Sequence, residues 1–230
     1  MNDAPLARFK DLCLDATDSG RLGPWWGGVL GLTWDPSQSG AGGSLAGRTP
    51  GHTIWVVAVP ERKTVKQRVH LDIYTRSLAE LEAAGATVVE AQHADWRWTI
   101  MADTEGGEFC AFIRDELPDD RLHGLVVDCA DPVAIARWWA AVYGADLVED
   151  PRGFATVEHV PGMPILTMDF VPVPEPKVVK NRIHWDVVAP DIEALVRFGA
   201  TVLRRPDDEI RWTVLADPEG NEFCAFPPPD

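Results

Sequence analysis

The chain has 230 residues, 46% of them hydrophobic, and a formal net charge of −15. That apolar content is enough for two ordinary cores. An acidic surface of this size repels phosphate backbones and anionic lipid, which argues against nucleic acid and membrane as partners, and no apolar run reaches the length of a membrane span.

The N-terminal stretch MNDAPLARFK lacks the apolar core of a signal peptide. Four cysteines without a CxxC spacing point to reduced thiols, a cytoplasmic location and no structural zinc site. Phe9 to Ala16 then reads as a short strand. Asp18 and Ser19 offer an N-cap, and Leu22, Trp25, Trp26, Val29 and Leu30 form a stripe at helical spacing. Gly and Pro in this stretch predict a weak or short helix, closed by Gly31. Thr33 to Pro50 is rich in Gly and Ser and reads as a flexible hairpin or loop. A β-branched strand follows at Ile54 to Val59, then a charged connector. Arg68 to Tyr74 alternates Arg68, His70 and Asp72 on one face with Val69, Leu71 and Ile73 on the other. A helix at Leu78 to Ala84 leads to strands at Thr87 to Glu90, Arg97 to Ala102 and Glu108 to Ile113.

After an acidic linker, Asp115 to Arg121, the pattern restarts. Leu122 to Cys129 is a strand, Asp131 and Pro132 open a helix to Tyr143, and Gly144 closes it. Strands follow at Asp146 to Glu149, Phe154 to Glu158 and Ile165 to Val171. Then come strand Arg182 to Val188, helix Asp191 to Phe198, and strands Thr201 to Arg204, Arg211 to Ala216 and Glu222 to Phe226.

The two halves are copies. A constant shift of 114 residues lays Val59 to Phe112 on Val173 to Phe226 without a gap, and a shift of 113 lays LCLDATD on LVVDCAD. Each copy reads β-α-β-β-β twice. We therefore expect two homologous domains, residues 1–116 and 117–230, packed about a pseudo-twofold axis.

A strand, a helix ending WWAAVYG, three strands, HWDV, a helix ending FGAT and RWTVLADPEGNEFCAF together resemble the vicinal oxygen chelate superfamily. That group includes glyoxalase I, bleomycin resistance proteins and extradiol dioxygenases, and its glyoxalase-like branch is the nearest match. The resemblance implies an α+β fold of tandem domains, each with two βαβββ modules forming a curved mixed sheet around a cleft. It also implies that His, Glu or Gln side chains on strands facing the cleft hold a divalent cation, Zn, Fe, Mn or Ni, which binds vicinal oxygens of a small molecule. The ligand position early in the fifth strand matches His184, and His70 in the first copy. The usual Glu on the last strand is replaced by Cys224 and Cys110. The first-strand position falls near Gly124 and near Asp11, so Asp11, His70 and Cys110 form the first copy's set. His123 is one position off and should point the other way.

Glu108 and Glu222, two residues before the cysteines, share their face and are candidates for acid–base work with His70 and His184. Trp98 and Trp212 are candidate stacking walls for an aromatic ligand, and Arg68 and Arg182 candidate binding groups. Each has a plainer reading: core packing for the cysteines and tryptophans, and ion pairs of Arg68 and Arg182 with Asp72 and Asp186 along one strand face. Three functions stay open. The first is a binding protein for a small aromatic or polar molecule, without metal. The second is a metal-dependent lyase, isomerase or dioxygenase with an atypical ligand set. The third is a metal-free enzyme using the cleft histidine as general acid or base. The chain would act as a monomer with an internal pseudo-dimer, or as a homodimer.

Overall fold

Alternating strands and glycine-closed helices translate into one module used four times. The computed structural model describes residues 4–37, 41–93 and 96–229. The first module contains β1 (Arg8–Ala16), α1 (Ser19–Leu30), β2 (Thr33–Pro36), β3 (Gly42–Ala46) and β4 (Ile54–Ala58). The second contains β5 (Val69–Thr75), α2 (Leu78–Ala83), β6 (Thr87–Glu90), β7 (Thr99–Ala102) and β8 (Glu108–Ile113). The third contains β9 (Leu122–Cys129), α3 (Pro132–Tyr143), β10 (Asp146–Glu149), β11 (Ala155–Glu158) and β12 (Thr167–Pro172). The fourth contains β13 (Ile183–Val188), α4 (Ile192–Arg197), β14 (Thr201–Arg204), β15 (Thr213–Ala216) and β16 (Glu222–Phe226).

The modules assemble across the repeats. One eight-stranded sheet runs β14-β15-β16-β13-β1-β4-β3-β2, joining the fourth module to the first. The other runs β10-β11-β12-β9-β5-β8-β7-β6, joining the third to the second. Both are mixed: β1 and β13 pair antiparallel, while β1 with β4 and β13 with β16 pair parallel. Each sheet therefore holds one module from each sequence copy.

Helix contacts tie modules together within a copy. The indole of Trp26 on α1 donates to Asp103 at 3.3 Å, and that of Trp139 on α3 donates to Asp217 at 3.1 Å. Glu105 accepts from the amides of Thr17 and Asp18, and Glu219 from those of Ala130 and Asp131. The ADxEG turns at Ala102 and Ala216 thus supply carboxylates to the amide-rich approaches of the two long helices, where the macrodipole favours negative charge. Trp26, Trp139, Phe109, Trp185 and Phe223 lie in one continuous core shared by both sheets.

In the first module the segment after α1 takes the hairpin alternative: β2 and β3 pair from Thr33–Ala46 to Pro36–Gly43, with 38–40 outside the described residues. The helix departs from expectation: α1 spans a full three turns, with Asp18 as N-cap and Gly31 left-handed at its end. Two of its glycines reflect packing: a Cβ on Gly23 would sit 2.3 Å from the Trp34 ring of β2, and one on Gly27 3.1 Å from the Leu32 carbonyl. Among the described residues no helix is long and apolar enough to cross a membrane.

Candidate functional site

On β13, Ile183, Trp185 and Val187 are buried in the core, so alternation turns His184 and Asp186 to the other face. The parallel neighbour β16 places Cys224 opposite Asp186. His184 Nε2 lies 3.6 Å from Cys224 Sγ and 3.7 Å from Asp186 Oδ1. On the other side of β13, β1 places Asp11 opposite Asp186 and Cys13 opposite His184. All five side chains are buried. Lys10 and the Trp55 indole both donate to Asp11 Oδ2, the latter at 3.0 Å. Three buried polar atoms here have no hydrogen-bond partner: Asp11 Oδ1, Asp186 Oδ1 and His184 Nδ1. Leaving such atoms unpaired costs about 1–3 kcal/mol each.

The second sheet repeats the arrangement with one donor fewer. His70 and Asp72 share a face of β5, and β8 places Cys110 opposite Asp72. One ligand-type atom from each of the three lies within 4.8 Å of the others. The place corresponding to Asp11 is Gly124, the partner of Asp72 on β9. A Cβ there would stand 3.0 Å from the Asp72 Cβ. His70 Nδ1 and Asp72 Oδ1 are also buried without a partner. Asp169 of β12, held by the hydroxyls of Thr156 and Thr167, adds a second carboxyl near Asp72.

Burial dominates the electrostatics of both clusters. It lowers the His184 pKa to about 3, helped by Lys180, and the His70 pKa to about 4, helped by Lys66. Both imidazoles are therefore neutral at physiological pH. Burial, then the neighbouring Asp169, raises Asp72 to about 7. Burial, then Asp11, raises Asp186. Burial, then the adjacent aspartate, also raises the thiols of Cys110 and Cys224.

The sequence-derived candidates divide. His70 with Cys110, and His184 with Cys224, come together. Asp11 does not join His70 and Cys110: it belongs to the other sheet, beside Asp186, because β1 pairs with β13 and not with β5. Arg68 and Arg182 do not pair with Asp72 and Asp186. Arg68 donates to the carbonyls of Glu175 and Asp128; Arg182 donates to those of Glu61 and Asp15 and to Glu105. Glu108 accepts from Lys63 and the Gln67 amide, Glu222 from Lys177 and the Asn181 amide, so both anchor connectors. Trp98 stacks on Trp96 and tilts over Phe112, and Trp212 stacks on Phe226; all five rings are partly exposed. His123 stacks on Tyr74 and meets Phe112 edge-on. It reaches these rings because the β5–β9 register shifts between Asp72 and Ile73, and a bulge breaks the alternation that would have turned it away.

Asp186, Asp72, Cys13 and Asp169 were not among the site candidates. For the two RxHxD aspartates the signal was present, since alternation already put them on the histidine face. Asp169 and Cys13 carried none, because their neighbours come from other modules.

A family model described as "Glyoxalase-like domain" matches residues 11–112 and again 124–226. The chain belongs to the glyoxalase-like domain family. This glyoxalase-like protein is thus a tandem member of the vicinal oxygen chelate superfamily. Solved structures agree in fold. Glyoxalase I from Zea mays is similar over 95% of this chain and 92% of its own, with a TM-score of 0.68 at 12% identity. A candidate dioxygenase from Bacillus subtilis subsp. subtilis str. 168 is similar over 99% of this chain and 87% of its own, with a TM-score of 0.67 at 14% identity. No curated protein matches the glyoxalase-like chain by sequence.

Proposed function

We propose that this glyoxalase-like protein binds a small organic molecule through a divalent cation held in the cleft of the first sheet. One observation carries the reading. The separations of His184 Nε2 from Cys224 Sγ and Asp186 Oδ1, 3.6 and 3.7 Å, lie near the about 3.4–3.6 Å edges of a tetrahedron of nitrogen, oxygen and sulfur ligands around zinc-sized ions. The unpaired Asp186 Oδ1 and Asp11 Oδ1 fit the same demand for a positive charge.

His184, Asp186 and Cys224 would hold the ion, with Asp11 beside them. An imidazole–carboxylate–thiolate set suits Zn or Fe better than Mg or Ca. The cation would polarise an oxygen of the bound molecule as a Lewis acid. The chain's own groups supply the rest. His184 offers a neutral nitrogen without first losing a proton. Asp186 and Cys224 release protons on binding. Asp11, its Oδ2 fixed by Lys10 and Trp55, keeps Oδ1 free to take a proton from the bound molecule or return one. Trp212 stacked on Phe226 offers an apolar wall beside the cleft.

The second sheet keeps the matching trio, His70, Asp72 and Cys110, but Gly124 leaves it without a counterpart of Asp11. The free, buried state of all four cysteines agrees with a reducing compartment such as the cytoplasm.

Titration with Co2+ tests the reading. One equivalent should produce a thiolate-to-cobalt charge-transfer absorption that disappears in Cys224→Ser and survives in Cys110→Ser. A wild-type titration without that absorption rejects it.

A further inference from the structure

A large cavity lies outside both clefts. It measures about 750 Å³ and opens between the two connectors, residues 59–68 and 173–182, that carry the chain from one sheet to the other. The connectors lock together reciprocally: Arg68 donates to the Glu175 carbonyl and Arg182 to the Glu61 carbonyl, each at 2.7 Å. Lys66 and Lys180 pair with Asp128 and Asp15, one on each side. The cavity thus straddles the pseudo-twofold axis of the repeat.

The symmetry of its wall breaks in a directed way. At the 114-residue shift, Arg62 and Thr64 on one connector correspond to Pro176 and Val178 on the other. At these two positions one connector is cationic and polar and the other apolar. Val178 is 73% exposed, an unusual setting for a branched aliphatic side chain in a cavity wall. Of the six cationic side chains that line the space, Lys63, Lys66, Lys180 and Arg182 are held by Glu108, Asp128, Asp15 and Glu105, whereas Arg62 and Arg68 have no ion pair among the described residues. Arg68 adds a buried Nε with no hydrogen-bond partner.

We propose that this cavity binds one amphipathic anion per chain, a monocarboxylate with an aliphatic or aromatic body. The carboxylate would meet the Arg62 and Thr64 side, and the body would cover Val178 and Pro176. The volume falls within the about 300–1,000 Å³ of small-molecule sites, and guanidinium groups match a carboxylate fork. The site requires no metal and stands independently of the cation reading.

The test is isothermal titration calorimetry with octanoate, octanol and octylammonium. Octanoate should bind saturably with a stoichiometry of one, octanol at least tenfold more weakly, and octylammonium not at all. Arg62→Gln and Val178→Asp should each weaken octanoate at least tenfold. Both positions are exposed, so thermal unfolding should be unchanged, and Arg137→Gln, on the outer face of α3, should bind as wild type. His184→Ala should also bind octanoate as wild type, which separates this site from the cation cleft. The proposal is overturned by the absence of saturable octanoate binding, by equal binding of octylammonium, or by wild-type affinity in both Arg62→Gln and Val178→Asp.

Discussion

Asp11 and Asp186 stand directly opposite one another across the antiparallel β1–β13 pair, although they come from the two ends of the chain. Two buried carboxyls at adjacent strand positions cannot both ionise without a compensating charge. Lys10 compensates one of the two charges at Asp11 Oδ2, and a proton or a cation at Asp186 answers the other.

The first prediction concerns protons. The Asp186 pKa is raised in the folded protein, chiefly by burial and then by Asp11. A cation needs its carboxylate, so Asp186 must release a proton on binding, as must Cys224. Affinity therefore rises with pH, by about tenfold per pH unit for each proton released below the relevant pKa. His184, already neutral above about 3, adds no dependence near neutrality. Zn2+ calorimetry in buffers of different ionisation enthalpy should show proton release. An affinity unchanged between about pH 6 and pH 8 contradicts the assignment.

A second prediction follows from Asp72. Its folded pKa of about 7 exceeds its ordinary value of 3.8. The folded state binds that proton more tightly than the unfolded state, so this contribution is full below the unfolded pKa and is lost as pH rises through about 7. The stability advantage of Asp72→Asn over wild type should grow by a few kcal/mol from pH 5 to pH 8. Urea unfolding at the two pH values measures this; an equal difference at both would count against a protonated Asp72.

Much of the architecture was legible in the sequence, and the reason it was not fully legible is the repeat itself. Strand limits such as Glu108–Ile113 and Leu122–Cys129 follow from alternation and glycine punctuation. The partner of β1 does not. Val69–Thr75 and Ile183–Val188 carry the same RxHxD pattern, and nothing local in Arg8–Ala16 distinguishes them. That one ambiguity moved Asp11 to the wrong histidine. His123 was misdirected for a different reason, a bulge that only the paired strand reveals.

Helix α1 offers a third prediction, because propensity and packing disagree there. Gly28 is exposed with nothing near its missing Cβ, whereas a Cβ on Gly23 would strike Trp34 at 2.3 Å. Gly28→Ala should stabilise by about 0.5–1 kcal/mol. Gly23→Ala should destabilise by about 1–3 kcal/mol through overpacking. Chemical denaturation of both variants decides whether packing sets the glycine content; stabilisation by Gly23→Ala would show that it does not.

The indole contacts give a fourth. Trp139 is fully buried and donates to Asp217, which also accepts from the amides of Glu219 and Asn221. Trp139→Phe removes a donor and leaves a void, and should cost about 2–4 kcal/mol. A loss below about 0.5 kcal/mol in urea unfolding would mean that the turn does not depend on the helix.

The central claim is that His184, Asp186 and Cys224 hold a divalent cation. Elemental analysis by inductively coupled plasma mass spectrometry, on protein purified without chelator, addresses it directly. The account predicts about one transition-metal ion per chain, lost in His184→Ala and retained in His70→Ala. Metal-free wild-type protein that also fails to take up Zn2+, Fe2+, Mn2+ or Ni2+, or equal metal content in wild type and His184→Ala, would contradict it.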